Sequence, residues 1–131
     1  MADAVVRFPN GSLTVAQLAS AFAAITGDVT FVDADGIVRY YSAYRIFKRS
    51  PECLDRHVLE CHSEGSRAGI ERLLSEFATG WRDDAVFLEQ KAGRPVQVRY
   101  LAVRDAEGAY QGCLEIAQWA DDREGPANSQ D

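Results

Sequence analysis

The chain is poor in the residues from which metal sites and acid–base machinery are usually built. It has two histidines and one methionine in 131 residues, and its three cysteines, Cys53, Cys61 and Cys113, are odd in number. No two of them form a Cys-x-x-Cys pair, so neither a disulfide framework nor a zinc ribbon is indicated, no metal site is expected, and the thiols are expected to be reduced. Positive charge is also short. Lys+Arg 14 against Asp+Glu 20 leaves a net charge of −6, which repels phosphate backbones and anionic lipid and argues against nucleic-acid or membrane-surface partners. No run approaches the roughly 18 apolar residues of a membrane span. The start, MADAVVRFPNGS, lacks the basic and apolar regions of a signal peptide, so a cytoplasmic protein is expected. A Ser-His-Asp elbow, a phosphate loop and a paired-carboxylate motif are all missing, and enzymatic activity is not expected.

What the chain does have is enough apolar content, 47%, for one core of ordinary size, and hence one domain. Its most regular stretch is Arg94 to Gln118. Val96, Val98, Tyr100 and Ala102 alternate with Gln97, Arg99, Leu101 and Val103, the two-residue period of a half-buried antiparallel strand. Strands are expected near 83–90, 95–104 and 109–118. Earlier, Thr14 followed three residues later by Gln17 gives the reciprocal capping pattern of a helix over Thr14–Ile25, with Val15, Leu18, Ala19 and Phe22 as its apolar stripe. Asp35-Gly36 between two β-rich runs predicts a hairpin of 28–33 with 37–41. Between Ser42 and Gly80 the pattern becomes short helical pieces, one opened by Pro51 and a longer one capped by Ser63 or Ser66 and ended by Gly80. The expected organisation is an N-terminal segment over 1–12, a folded domain over 13–119 and a disordered polar tail over 120–131.

The words LTVAQL (13–18), DVTFVDADGIVRYYS (28–42), RIFKRSPE (45–52), CHSEGS (61–66) and VRYLAVRDAEGAYQGCLEIAQ (98–118) carry a resemblance. The chain resembles PAS domains, and more narrowly the PAS modules attached to bacterial and archaeal hemerythrin-like proteins. The resemblance implies an α+β fold: a five-stranded antiparallel sheet with helices on one face and an N-terminal amphipathic helix, the hairpin pairing next to the last strand. It also implies a sensory or regulatory role in signal transduction, with a small ligand or a signalling protein as partner. Two places depart from the family. Cys61-His62-Ser63-Glu64 stands where Cys-His-Pro-Pro is usual, and Trp119-Ala120-Asp121 stands where many PAS domains end in Asp-Ile-Thr, the pair that joins the sheet to an output helix.

Candidate ligand-binding residues are Tyr41, Arg45, His57, Cys61, His62, Arg99, Tyr100 and Glu115, lining a cavity between the sheet and the helices of 43–79. On a helix, His57 and Cys61 would share a face and could ligate zinc, copper or haem iron; two ligands do not make a structural site, and a buried thiol beside a hydrogen-bonded histidine is the commoner arrangement. Arg45, Arg99 and Glu115 could fix an acidic ligand through a guanidinium fork, or Arg99 and Glu115 could form a cross-strand ion pair. The tyrosines either pack or orient a ligand by one hydrogen bond. Haem, flavin, a fatty acid or a small carboxylate would all suit the family, and no specific cofactor motif is present. The reading from another class is a small α+β-cone isomerase or dehydratase with Asp33 or Glu115 as base and Tyr41 or Tyr100 as donor to a developing oxyanion; sheet order separates the two. The apolar stripe of the Thr14–Ile25 helix, finally, is expected to make a homodimer contact unless it packs on its own sheet.

Overall fold

The computed structural model describes residues 4–25, 27–48 and 50–121. Two short strands, β1 (Val5–Phe8) and β2 (Gly11–Thr14), form an N-terminal hairpin with Val6 opposite Leu13. The turn between them is Pro9-Asn10, with Gly11 opening β2; the flanking strands are too short and exposed to show an alternation, and this element was not anticipated. The helix α1 (Val15–Ala23) follows with the expected reciprocal cap. Thr14 Oγ1 accepts from the Gln17 amide and Gln17 Oε1 accepts from the Thr14 amide, both at 2.9 Å.

The main sheet contains β3 (Asp28–Asp33), β4 (Val38–Tyr41), β5 (Asp84–Lys91), β6 (Arg94–Arg104) and β7 (Tyr110–Trp119). All neighbours are antiparallel and the order is β4-β3-β7-β6-β5. The hairpin strand β3 thus lies beside the last strand and β4 is at an edge, as the PAS resemblance implied. This is not the arrangement of the cone-enzyme alternative.

Ladder partners share a face of the sheet. Val32, Val96, Val98, Cys113 and Ala117 therefore belong to one inner face, where they pack in a single core with Leu73 and Phe77 of α2 (Glu64–Thr79) and with Val58. Ser63 occupies the N-cap position of α2, and Gly80 ends the helix in the left-handed conformation at φ 84°. Between β4 and α2 the chain makes two short 3-10 turns, Pro51–Cys53 and Val58–Cys61. Ser50 caps the first by accepting from the Glu52 amide, with Pro51 in the opening turn as expected.

Three expectations change here. The segment after His57 is a 3-10 turn capped by His57 rather than an α-helix, so four-residue spacing does not place His57 and Cys61 on one face. Cys53 and Cys61 are joined in a disulfide instead of remaining free thiols, because the two 3-10 turns bring their Cα atoms to 5.8 Å. Ala120 and Asp121, assigned to the tail, are held: the Ala120 amide donates to the Pro95 carbonyl at 2.9 Å, and Asp121 accepts from Arg94. The rest of the tail expectation, 122–131, lies outside the described residues.

Candidate ligand cavity

Loop 42–48 reaches back over the sheet because Asp28 and Arg45 fasten it there. Asp28, 3% exposed at the start of β3, accepts from the Ile46 and Phe47 amides at 2.9 Å each. Its other oxygen meets Arg45 Nη1 at 2.7 Å. Arg45 also donates to Thr30 Oγ1 at 3.1 Å and to the Phe47 carbonyl, and lies 5.5 Å from the Tyr41 ring centroid. A buried carboxylate with this many donors is a structural clamp, and its effect is to hold Phe47 and Lys48 at the side of a cavity.

That cavity has a volume of about 310 Å³. Its floor is the inner face of three strands: Glu89 of β5, Val98 and Tyr100 of β6, and Glu115 of β7. Its roof is Cys61 and His62 at the end of the second 3-10 turn, followed by Ser63, Ser66 and Ile70 of the first turns of α2. Tyr100 and Glu115 face each other in the ladder and are nearly buried, at 9% and 8% exposure. His62 Nδ1 is 3.1 Å from the Val58 carbonyl, which fixes the ring. The wall combines three apolar side chains, Phe47, Ile70 and Val98, with hydroxyls, two carboxylates, an imidazole and one ammonium at the rim.

Of the candidates from sequence, Cys61, His62, Tyr100 and Glu115 are brought together here. Tyr41 and Arg45 are not among the lining residues: Arg45 fastens the loop that forms one side, and the Tyr41 ring lies beside its guanidinium. His57 is elsewhere: its Nδ1 accepts from the Leu59 amide at 3.2 Å, and its ring is packed on the β3–β4 turn, where a Cβ on Gly36 would come within 2.5 Å of Nε2. Arg99 is also elsewhere, opposite Val86 and Ile116 on the outer face. The expected Arg99–Glu115 cross-strand pair does not form. Near the β6–β7 turn Arg104 is opposite Tyr110, a register that would carry on to place Arg99 opposite Glu115. The irregularity between Val103 and Arg104 shifts it by one, and Tyr100 takes that place.

Sequence reasoning missed Phe47, Lys48, Ser63, Ser66, Ile70, Glu89 and Val98. Lys48 and the two serines lie within the words RIFKRSPE and CHSEGS, which marked them; Glu89 is assigned to the cavity only by the register Glu89↔Val96. The thiol of Cys113, beside Glu115 on β7, is 2% exposed, and burial together with that carboxylate pushes it up to about 12. It is a packing residue. Asp33, a candidate base in the enzyme alternative, holds the β3–β4 turn through the Asp35 and Ile37 amides rather than facing the cavity. Among the described residues, no three His, Cys, Asp or Glu side chains are grouped to hold a metal.

The PAS domain family matches residues 18–118. A C-terminal domain from Streptococcus mutans is 32% identical, with a TM-score of 0.80 over 88% of this chain and 92% of that one. A sensory box sensor histidine kinase from Vibrio cholerae has the same fold at 8% identity, with a TM-score of 0.58 over 81% of this chain and 90% of that one. VqmA bound to DPO does so at 17% identity, with a TM-score of 0.57 over 82% of this chain and 58% of that one. No curated protein matches the sequence. With the sheet order, the cavity between sheet and helices and this match over most of its length, the chain belongs to the PAS domain family.

Proposed function

We propose that the domain senses a compact, partly polar small molecule bound between the sheet and α2, and that it acts by binding rather than by catalysis. The observation that carries this reading is the placement of Glu115 and Tyr100, side by side on the floor of the cavity and opposite a roof of His62, Ser63 and Ser66. A volume of about 310 Å³ lies at the bottom of the range for small-molecule sites, roughly 300–1,000 Å³. Phe47, Ile70 and Val98 provide the apolar contact, and the carboxylate and hydroxyls provide orientation. VqmA, a more distant member of the same fold, is bound to DPO, which supports a ligand-binding reading.

The test is a thermal-shift and native-mass screen with small heterocycles, amines and carboxylates on freshly purified protein. A stabilising compound whose effect is lost in Glu115→Gln and Ile70→Trp, both still folded, is the expected outcome. A library that shifts neither the wild type nor its native mass would remove the reading and leave a pure interaction module.

The domain is further proposed to work as a cytoplasmic homodimer through the helix expected over Thr14–Ile25. Among the described residues, α1 buries none of its own side chains. Phe22 meets Tyr40 at 4.9 Å, but Val15 and Leu18 remain 49% and 37% exposed. A two-fold contact would cover them. Net charge of −6 supports a protein partner rather than nucleic acid. No helix among the described residues is long and apolar enough to cross a membrane. The words RIFKRSPE and CHSEGS support a place among the PAS modules that accompany hemerythrin-like domains. Light scattering should give a dimer for the wild type and a folded monomer for Leu18→Glu; a wild-type monomer at tens of micromolar, on the order of weak-dimer affinities, would exclude the contact.

A further inference from the structure

We propose that Cys53 and Cys61 are a reversible dithiol–disulfide couple that repositions the roof of the cavity. The two cysteines close the two 3-10 turns, with Cα atoms 5.8 Å apart, inside the window a disulfide requires. Both side chains are partly exposed, so a small oxidant or reductant can reach them. Cys113 is 2% exposed and its thiol is pushed up to about 12, chiefly by burial, so it does not compete.

The frame that holds the pair together does not depend on the bond. The intervening segment is laced to the β3–β4 hairpin by its own backbone: Asp55 N–H donates to the Val38 carbonyl at 2.8 Å, Val38 N–H to Arg56 at 2.9 Å, and Val58 N–H to Gly36 at 2.8 Å. The His57 ring, packed on Gly36, keeps the segment in register. The bond can thus open and close on a standing backbone, which is what separates a switch from a structural staple. Its consequence reaches the cavity because Cys61 is itself a wall residue, and the next residues in the chain, His62 and Ser63, are the roof. Tying the Cys61 sulfur to Cys53 fixes the start of that roof; releasing it returns rotamer freedom to Cys61 and lets the peptide at 61–63 relax.

The oxidant we assign is a low-molecular-weight disulfide. One cysteine thiolate attacks it, forming a mixed disulfide and releasing one thiolate. The second cysteine thiolate then attacks the protein sulfur and expels the other. Two electrons leave the protein, the two protons of the cysteines end on the two released thiols, and Cys53–Cys61 is formed; two equivalents of the same small thiol reverse each step and regenerate the small disulfide.

This deepens the cavity reading, on which only the ligand consequence rests. The test therefore uses readouts that need no ligand. Wild-type protein is equilibrated in glutathione buffers, quenched with N-ethylmaleimide and mapped by mass spectrometry. Cys53 and Cys61 should pass together from linked to alkylated over roughly two decades in the ratio of squared thiol to disulfide, as a two-electron couple requires, with Cys113 unlabelled until denaturant is added. Amide spectra of the two forms should differ at His62, Ser63 and Ser66, and Cys53→Ser should reproduce the reduced spectrum; if that variant does not fold, reduced wild type supplies the same comparison. Independent alkylation of the two cysteines in every buffer, or identical amide positions over 61–66 in both forms, would overturn the proposal. Failure of every compound in the ligand screen with these spectral changes intact would remove the small-ligand reading alone.

Discussion

Trp119 donates its indole N–H to the Tyr44 hydroxyl at 2.7 Å, tying the end of the last strand to the loop that walls the cavity. The same indole carries the Arg94 guanidinium 3.9 Å above its ring, and Arg94 holds Asp121 through two hydrogen bonds of 2.8 Å. Arg94 is 2% exposed, so the chain's exit from the sheet is fastened on three sides. Trp119-Ala120-Asp121 departs from the Asp-Ile-Thr word of many PAS domains, yet it still ends on an anchored aspartate. Tyr44 belongs to the loop that Asp28 clamps, and Phe47 and Lys48 of that loop line the cavity. The loop and the exit are thereby mechanically joined.

Tyr44→Phe should therefore cost about 1 kcal/mol, the scale of one neutral hydrogen bond with its partner left unsatisfied. Asp121→Ala should lower the melting temperature further, since it strips a partner from a buried guanidinium. Both are read by thermal denaturation followed by the fluorescence of the two tryptophans, of which Trp119 sits at this junction and Trp81 is largely exposed. An Asp121→Ala variant as stable as wild type would mean that the exit is not anchored by this pair.

The parts of this architecture that were legible in the sequence are those fixed by local chemistry. Thr14 and Gln17 state a helix start, Asp35-Gly36 states a hairpin, Gly80 a helix end, and the alternation from Val96 to Val103 states a strand with two faces. What those signals do not contain is the register between strands. Arg99 and Glu115 would be partners in a regular ladder grown from the β6–β7 turn, and a one-residue irregularity sends them to opposite faces. Cys53 and Cys61 were hidden for a related reason: eight residues of separation say nothing about proximity until two 3-10 turns fold them back. Four of the eleven cavity residues were found: family words marked Cys61 and His62, strand alternation marked Tyr100, and Glu115 was singled out as a charged group on the last strand, whereas Glu89 and Ile70 enter through tertiary packing alone.

Asp33 gives the hairpin a pH dependence. Its Oδ1 accepts from the Asp35 and Ile37 amides at 2.9 and 3.0 Å, and its Oδ2 from Arg39 Nε at 2.7 Å. Burial pushes the carboxyl up, but the hydrogen bonds from Arg39, Ile37 and Asp35 outweigh it and hold the carboxyl below the usual value of 3.8. A group with a depressed folded-state value stabilises the fold above its unfolded value, and that contribution disappears as pH falls through the folded one. The melting temperature of Asp33→Asn should sit a few degrees below wild type near neutrality, and the gap should close as both are taken below about pH 3.8. A gap that is constant down to pH 2 would show that the ionised carboxylate is not what stabilises the turn.

Two glycines should respond to alanine with opposite signs. Gly112 lies in β7 beside the register irregularity at φ 147°, and a Cβ there would run into the Val32 carbonyl of β3 and come within 2.8 Å of the Phe31 ring. The first obstacle is backbone in a paired strand and cannot swing away. Gly112→Ala should lose at least about 1–3 kcal/mol, the range for a residue forced into a sparsely populated conformation, before the collision is added. Gly69 lies within α2 with nothing within 4 Å of its would-be Cβ, so alanine costs no contact and removes the conformational freedom that glycine gives the unfolded chain. Gly69→Ala should gain about 0.5–1 kcal/mol. Urea unfolding of the two variants against wild type measures both signs in one experiment. If Gly112→Ala unfolds at the wild-type midpoint, β3 and β7 do not approach as closely as described; if Gly69→Ala is destabilised, that face of α2 is covered by something in solution, and the dimer contact would have to include it.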